Sequence, residues 1–229
     1  MDSTKRLFKL LGPGLFSGAN LDRISRVFYD AAKIVYERQK KSSRQLKMRD
    51  ISSAIVVADS LHAQAYRFEA SGPLAANFGN FPEADALDYY DKQAIGVVKD
   101  KLGRPIRIDD DGRKSLYKDD ASGRHIVESK NYEEGRGKRL PWIRHALMNS
   151  GAIYVHEETT KGIFRRAYLY TAIVSIPLVQ ANKPQISYYV VVVREGKNKE
   201  DLRFITAYSM LKLNDFLRIL APTYPLGRI

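Results

Sequence analysis

KRLPWIRHALMNSGAIYV (Lys138–Val155), FRRAYLYTAIVSI (Phe164–Ile176), SYYVVVVRE (Ser187–Glu195) and RFITAY (Arg203–Tyr208) follow one another in a single stretch of the chain. The first predicts a short helix opening at Pro141, with Ile143, Ala146 and Leu147 on its inner face. NSG ends that helix, and Ala152 to His156 opens the first of four strands. Phe164–Ser175, Tyr188–Arg194 and Arg203–Tyr208 supply the others. Val190–Val193 is an unbroken run of valine, which fits a strand buried on both faces. This stretch predicts short helices packed on a four-stranded, mostly antiparallel sheet.

Outward from it, RPIRI is strand-like, and Asp109 to Gly137 is polar and poor in apolar residues, a long excursion. A helix, EADALDYYDKQ, follows Pro82, with Ala86, Tyr89 or Tyr90, and Gln93 or Ala94 inward. SGPLAANFGNFP is a turn-rich linker marked by Gly72, Pro73 and Gly79. Upstream, Asn20 is placed to cap a helix from Leu21 to Lys41, whose seam is Leu21, Ile24, Phe28, Ala31 and Val35. A second helix from Met48 to Glu69 carries Ile51, Ile55, Ala58, Leu61, Ala65 and Phe68 on one face. The short polar join KKSSRQ makes the pair an antiparallel hairpin. A last helix spans Asn214 to Leu220. Helices first and then a meander give an α+β fold. Residues 1–80 read as a helical docking or regulatory module. Residues 81–229 read as a domain able to fold alone from about Ala84.

The 229 residues are 44% apolar, enough for a buried core. Cysteine is absent, which excludes disulfides, zinc–thiolate sites and cysteine nucleophiles. No signal peptide and no apolar run of membrane length is expected, which predicts a cytoplasmic protein without a membrane partner. The net charge of +12 is unevenly spread: +7 up to Asp50, −4 from Ile51 to Val98, and +9 thereafter. Basic blocks of this kind attract polyanions, nucleic acid above all.

No metal-ligand spacing, phosphate loop or dinucleotide fingerprint is present, so neither a metal nor a cofactor is expected. Asp109–Gly112 lacks the alternation of a calcium loop and reads as a solvated turn, and Gly12–Gly14 lacks the rest of a phosphate loop. Of the four histidines, His62 and His125 lie away from the basic strands. His145 points away from the helix core face, and His156 ends a strand beside Glu157 and Glu158, where it could serve as a general base. Arg165 and Arg166 point to opposite faces of their strand. Arg166, Tyr168 and Tyr170 share a face, and by alternation so do Phe204, Thr206 and Tyr208. If those faces coincide, arginine, tyrosine and threonine converge. Arginine suits the charge of a phosphorane, tyrosine a base or a proton, and threonine a phosphate oxygen. RNA supplies its own 2′-hydroxyl as nucleophile. The plain alternative is a polar outer face with cross-strand Arg–Tyr pairs.

At these residues the chain resembles the phage-linked members of the barnase–EndoU–colicin–RelE-like (BECR) nucleases. DKLGRPIRI resembles the strand that opens such domains, and KRLPWIRHALMNSGAIYV their helix-and-strand block. FRRAYLY, YYVVVVRE and FITAY resemble the three strands that follow, and PEADALDYYDKQ the helix that precedes the domain. NSG stands in place of the family's Asn-Pro-Asp-like turn, and Tyr154 stands where tryptophan is common. The resemblance implies metal-independent cleavage of RNA to a 2′,3′-cyclic phosphate. It puts Lys138 and Arg139 where the family has paired basic or histidine residues. Joined to the strand faces above, the candidate catalytic set is Arg139, Arg166, Tyr168, Thr206 and Tyr208, with His145 and His156 in reserve as general base. Lys138, Arg144 and Arg165 are the further candidate RNA contacts. The implied partners are RNA, tRNA among them, a cognate immunity or inhibitor protein, and a phage structural protein. Association with a virion or delivery into a target cell is the matching location. The other reading is a non-catalytic nucleic-acid-binding or phage-assembly protein of the same fold.

Overall fold

The four expected strands are present, and others extend the sheet. The computed structural model describes residues 21–41, 47–71, 81–118, 127–150, 152–160, 163–176, 185–196 and 201–226. Asn20 as a cap, the Gly12–Gly14 turn, the linker residues Gly72, Pro73 and Gly79, and His125 lie outside these residues.

Helices α1 (Leu21–Lys41) and α2 (Met48–Ser71) form the hairpin. Helix α3 (Glu83–Tyr89) runs into a π-helical turn, Tyr90–Ala94. Strands β1 (Gly96–Lys99) and β2 (Pro105–Ile108) follow, then 3-10 turns at Asp110–Leu116 and Ser129–Asn131. Helices α4 (Glu134–Gly137) and α5 (Leu140–Asn149) lead into the meander of β3 (Ile153–Thr160), β4 (Ile163–Ile176), β5 (Gln185–Glu195) and β6 (Leu202–Met210). Helix α6 (Leu213–Leu220) and a two-residue strand β7 (Tyr224–Pro225) come last.

The strand order is β1-β2-β6-β5-β4-β3-β7. The meander is antiparallel, and β2 joins β6 in parallel through Ile106 and Arg107. The fold is therefore α+β, as expected, but its mixed sheet has six strands and a two-residue edge, not four. GVVK escapes a sequence reading because it is four residues long and starts at Gly96, whose φ of 132° is open to glycine alone. It forms a hairpin with PIRI, and the hairpin widens the sheet.

Each face of the sheet carries its own core. On the front, α3, α5 and the 3-10 turn cover Ile153, Val155, Tyr170, Val191 and Phe204. Trp142 of α5 meets Tyr189 edge-on at 5.4 Å between ring centroids. On the back, the hairpin and α6 cover Tyr154, Leu169 and Val190. The hairpin thus shares a core with the sheet. Arg38 reinforces the link by donating to the carbonyls of Ala221 and Thr223, and Tyr154 Oη donates to the Val57 carbonyl at 3.4 Å.

Two expectations are corrected. Among the described side chains of α1 the buried stripe is Val27, Ala31 and Ile34, so Ala31 of the expected seam is buried and Phe28 is 39% exposed. On α2 the expected Ile55, Ala58 and Leu61 are buried, Ala54 and Val57 join them, and Ile51 is exposed. Leu21, Ile24, Ala65 and Phe68 lie outside the described side chains. A helix seated between another helix and α6 buries a face set by both neighbours. The segment after Asp109 is also no plain excursion. Its 3-10 turn buries Leu116, and Tyr117 after it is buried too. Gly112 packs so closely that an added Cβ would lie 2.1 Å from Tyr90 Oη and 2.7 Å from a Phe204 ring carbon. Gly112→Ala is expected to cost about 1–3 kcal/mol by overpacking, read as a lower denaturant midpoint at an unchanged slope.

Candidate active site

The facing of β6 decides which candidates meet. Strict alternation would put Phe204, Thr206 and Tyr208 on one face. The ladder with β5 breaks that pattern: Val193 lies opposite Phe204 and Val192 opposite Thr206, leaving Ile205 as an extra residue. A one-residue bulge reverses every side chain beyond it. Phe204 faces the front core, whereas Thr206 and Tyr208 share the side of Val192 and Val190. Arg166, Tyr168 and Tyr170 lie on the front side. The expected convergence of Arg166 and Tyr168 with Thr206 and Tyr208 does not occur. Thr206 is buried, and its hydroxyl has no hydrogen-bond partner.

On the front, Arg166 and Tyr168 are committed to acids. Arg166 donates Nε to Glu157 Oε1 at 2.9 Å, and Tyr168 Oη donates to Glu195 Oε1 at 2.6 Å. Hydrogen bonds from Tyr224 and then Arg166 hold Glu157 below the usual carboxylate range. Beneath them lies a group that the sequence reading missed. The Asp100 carboxylate has no exposed surface and accepts from Arg104 Nε at 2.8 Å and Tyr170 Oη at 2.6 Å. The backbone amides of Leu102 and Arg104 complete its shell at 2.9 and 2.8 Å. The Arg104 guanidinium covers the Tyr168 ring at 4.6 Å from the centroid.

The residues around α5 divide. Lys138 pairs with Glu134 at 2.8 Å. Arg144 reaches the carbonyls of Ala94 and Ile95, both at 3.4 Å, and so closes the end of the π-turn. His145 sits against Asn149 on the same helix, and burial lowers its pKa. Arg139 and Tyr208 do share a cleft, along the edge of β6.

A second cleft, on the back of the sheet, gathers His156, Glu158, Arg165 and Arg194 around a cavity of about 200 Å³. Its origin is local. The alternation of β3 places His156 and Glu158 on one side, and the antiparallel register sets Arg165 opposite Glu158. Ala167 stands between His156 on one neighbouring strand and Arg194 on the other. At roughly 4.8 Å per strand, that small residue leaves a gap of about two strand spacings between imidazole and guanidinium. His156 Nε2 lies 3.8 Å from Glu158 Oε2, and its Nδ1 is buried without a partner. Among the described residues, neither Arg165 nor Arg194 has an acid partner. Leu169, Val192, Ile219 and Pro222 form apolar walls, which strengthen any charge interaction inside. His156 and Arg165 were legible as candidates, but Glu158 and Arg194 were not assigned. The signal for Glu158 was its spacing of two from His156, and Arg194 closes the valine run.

No family model matches the chain, and neither curated proteins nor solved structures give a match. The resemblance to BECR nucleases rests on the motifs alone. Among the described residues no group of three or more His, Asp or Glu side chains is placed to hold a metal, and no helix is long and apolar enough to cross a membrane.

Arg166 faces away from the back cleft. Its pair with Glu157 is partly exposed, so Arg166→Ala is expected to cost less than about 1 kcal/mol, read as a nearly unchanged denaturant midpoint.

Proposed function

We propose that the chain is an endoribonuclease whose chemistry sits in the back cleft and needs no metal. The observation that carries this reading is an acid–imidazole pair flanked by two arginines without acid partners, around a gap floored by Ala167. Glu158 accepts the proton of the RNA 2′-hydroxyl, and the 2′-oxygen attacks phosphorus. The P–O5′ bond breaks, and the leaving 5′-oxygen takes a proton from the His156 imidazolium. The products are a 2′,3′-cyclic phosphate and a 5′-hydroxyl. Arg194 and Arg165 hold the non-bridging oxygens as negative charge builds. The phosphate takes the place of the 3.8 Å contact between His156 and Glu158, so that each faces its own oxygen.

The high positive charge supports RNA as the polyanion. A cognate inhibitor and a phage structural protein remain partners that the resemblance alone suggests. The test is incubation of purified protein with a labelled RNA in EDTA, with product ends identified by mass spectrometry. Cyclic phosphate ends that disappear in His156→Ala support the reading. Salt-dependent RNA binding without any cleavage would replace it with the non-catalytic one.

A further inference from the structure

The back cleft opens onto a row of side chains that crosses the sheet at right angles to its strands. The register carries this row without a break. His156 pairs with Ala167, Ala167 with Arg194, Arg194 with Arg203, and Arg203 with Arg107. Their chain neighbours Val155, Tyr168, Val193, Phe204 and Ile106 all lie in the front core, so the row itself lies on the back. The bulge at Ile205 falls past Arg203 and leaves the row intact. Three arginines therefore stand on three adjacent strands, β5, β6 and β2, starting one step beyond Ala167. The row ends at Val97 of β1, which pairs with Arg107 and brings no further charge. His156 and Arg107 are four strand steps apart, about 19 Å at the usual strand spacing.

The charges along the row are open to an incoming anion. The Arg107 and Arg203 side chains are 55% and 44% exposed. Asp201 meets Arg203 at 2.9 Å and Arg107 at 3.9 Å, and Asp109 lies 4.0 Å from Arg203. Asp111 also acts on Arg203, but it is committed to Lys114 at 2.6 Å. Exposed ion pairs of this kind are weak, so a phosphate can replace them. Like charges directly opposite on antiparallel strands, as at Arg194 and Arg203, destabilise the pair. A compact anion relieves that repulsion at one point only. A phosphate chain, with one charge per link, relieves it along the whole row.

We propose that Arg194, Arg203 and Arg107 form a track for single-stranded RNA, which leaves the back cleft and crosses the strands with its phosphates along the row. The track rests on the ribonuclease reading for the place of the scissile phosphate. Arg194 holds that phosphate, and Arg203 and Arg107 hold those beyond it. The gap over Ala167 is about two strand spacings wide, room for one backbone and not for a duplex. Arg203 and Arg107 touch no reacting atom. Their contribution is affinity that grows with the length of the RNA.

The experiment uses the full chain and labelled oligonucleotides with 2′-O-methyl riboses, which cannot be cleaved. A dinucleotide fills the cleft alone, and an octanucleotide reaches along the row. Fluorescence anisotropy across a salt series gives affinity and slope. The octanucleotide is expected to bind at least tenfold more tightly than the dinucleotide. Arg203→Ala and Arg107→Ala should each cut that advantage threefold or more and make the octanucleotide's salt slope shallower by about 0.7. Asp201→Asn removes the competing carboxylate and should tighten the octanucleotide, a gain that misfolding cannot produce. An unchanged advantage in both arginine variants, or tighter binding of a duplex than of the single strand, would overturn the track. So would an octaglutamate peptide that binds as tightly and loses as much, which assigns the row to an acidic protein segment. Cleavage of unmodified RNA is followed separately. If the length advantage holds and cleavage is absent, the track stands and the ribonuclease reading alone falls. If cleavage is present without the advantage, the track alone falls.

Discussion

Arg194→Ala is expected to slow RNA cleavage by roughly 10²–10³-fold, the usual loss when one preorganised charge donor is removed from a phosphorane or oxyanion. Glu158→Gln and His156→Ala should fall by a factor on the order of 10²–10⁴, the range for a positioned acid or base. Arg165 is more exposed than Arg194, so Arg165→Ala should act chiefly on KM and on the salt dependence of binding. Removing one cation from an RNA phosphate makes the slope of log affinity against log salt shallower by about 0.7. The most specific change removes no functional group. Ala167→Leu fills the floor between His156 and Arg194, and it should block cleavage while all four polar side chains stay in place. Stability should change little in the arginine variants, because both side chains lack acid partners among the described residues. Cleavage at the wild-type rate in Arg194→Ala and Glu158→Gln together would remove the chemistry from this cleft.

The largest effect on stability is expected at Asp100. Asp100→Ala leaves Arg104 and Tyr170 without their common acceptor and removes the side-chain acceptor of two part-buried backbone amides. Breaking a buried pair from one side costs about 3–5 kcal/mol. Asp100→Asn keeps an oxygen for the amides but loses the charge opposite Arg104, so its cost should be smaller. Arg104→Ala also uncovers the Tyr168 ring. The double variant Asp100→Ala/Arg104→Ala should cost less than the sum of the single changes, because the second substitution removes a charge that the first had orphaned. Urea midpoints of the four proteins measure that coupling. Strict additivity would show that the two side chains act independently.

Local pattern alone determined the helical hairpin, the amphipathic face of α5, the order of the four meander strands and the double burial of the valine run. Those features depend on periodicity, on Pro141 and on charge, all properties of residues near in sequence. It also determined that His156 and Glu158 share a face, since a spacing of two on a strand admits no other arrangement short of a bulge. Only the tertiary structure decided the rest. The bulge at Ile205 exists only in the pairing of β6 with β5, and it moves Thr206 and Tyr208 to the face opposite Arg166. Asp100 is a loop residue in sequence. It becomes a buried centre only because the β1–β2 hairpin carries it and Arg104 to Tyr170, 70 residues away in the chain. The back cleft likewise needs β3, β4 and β5 side by side and α6 as a wall. Its arginines sit one strand apart in space but 29 positions apart in sequence, a proximity that register creates and no local pattern records.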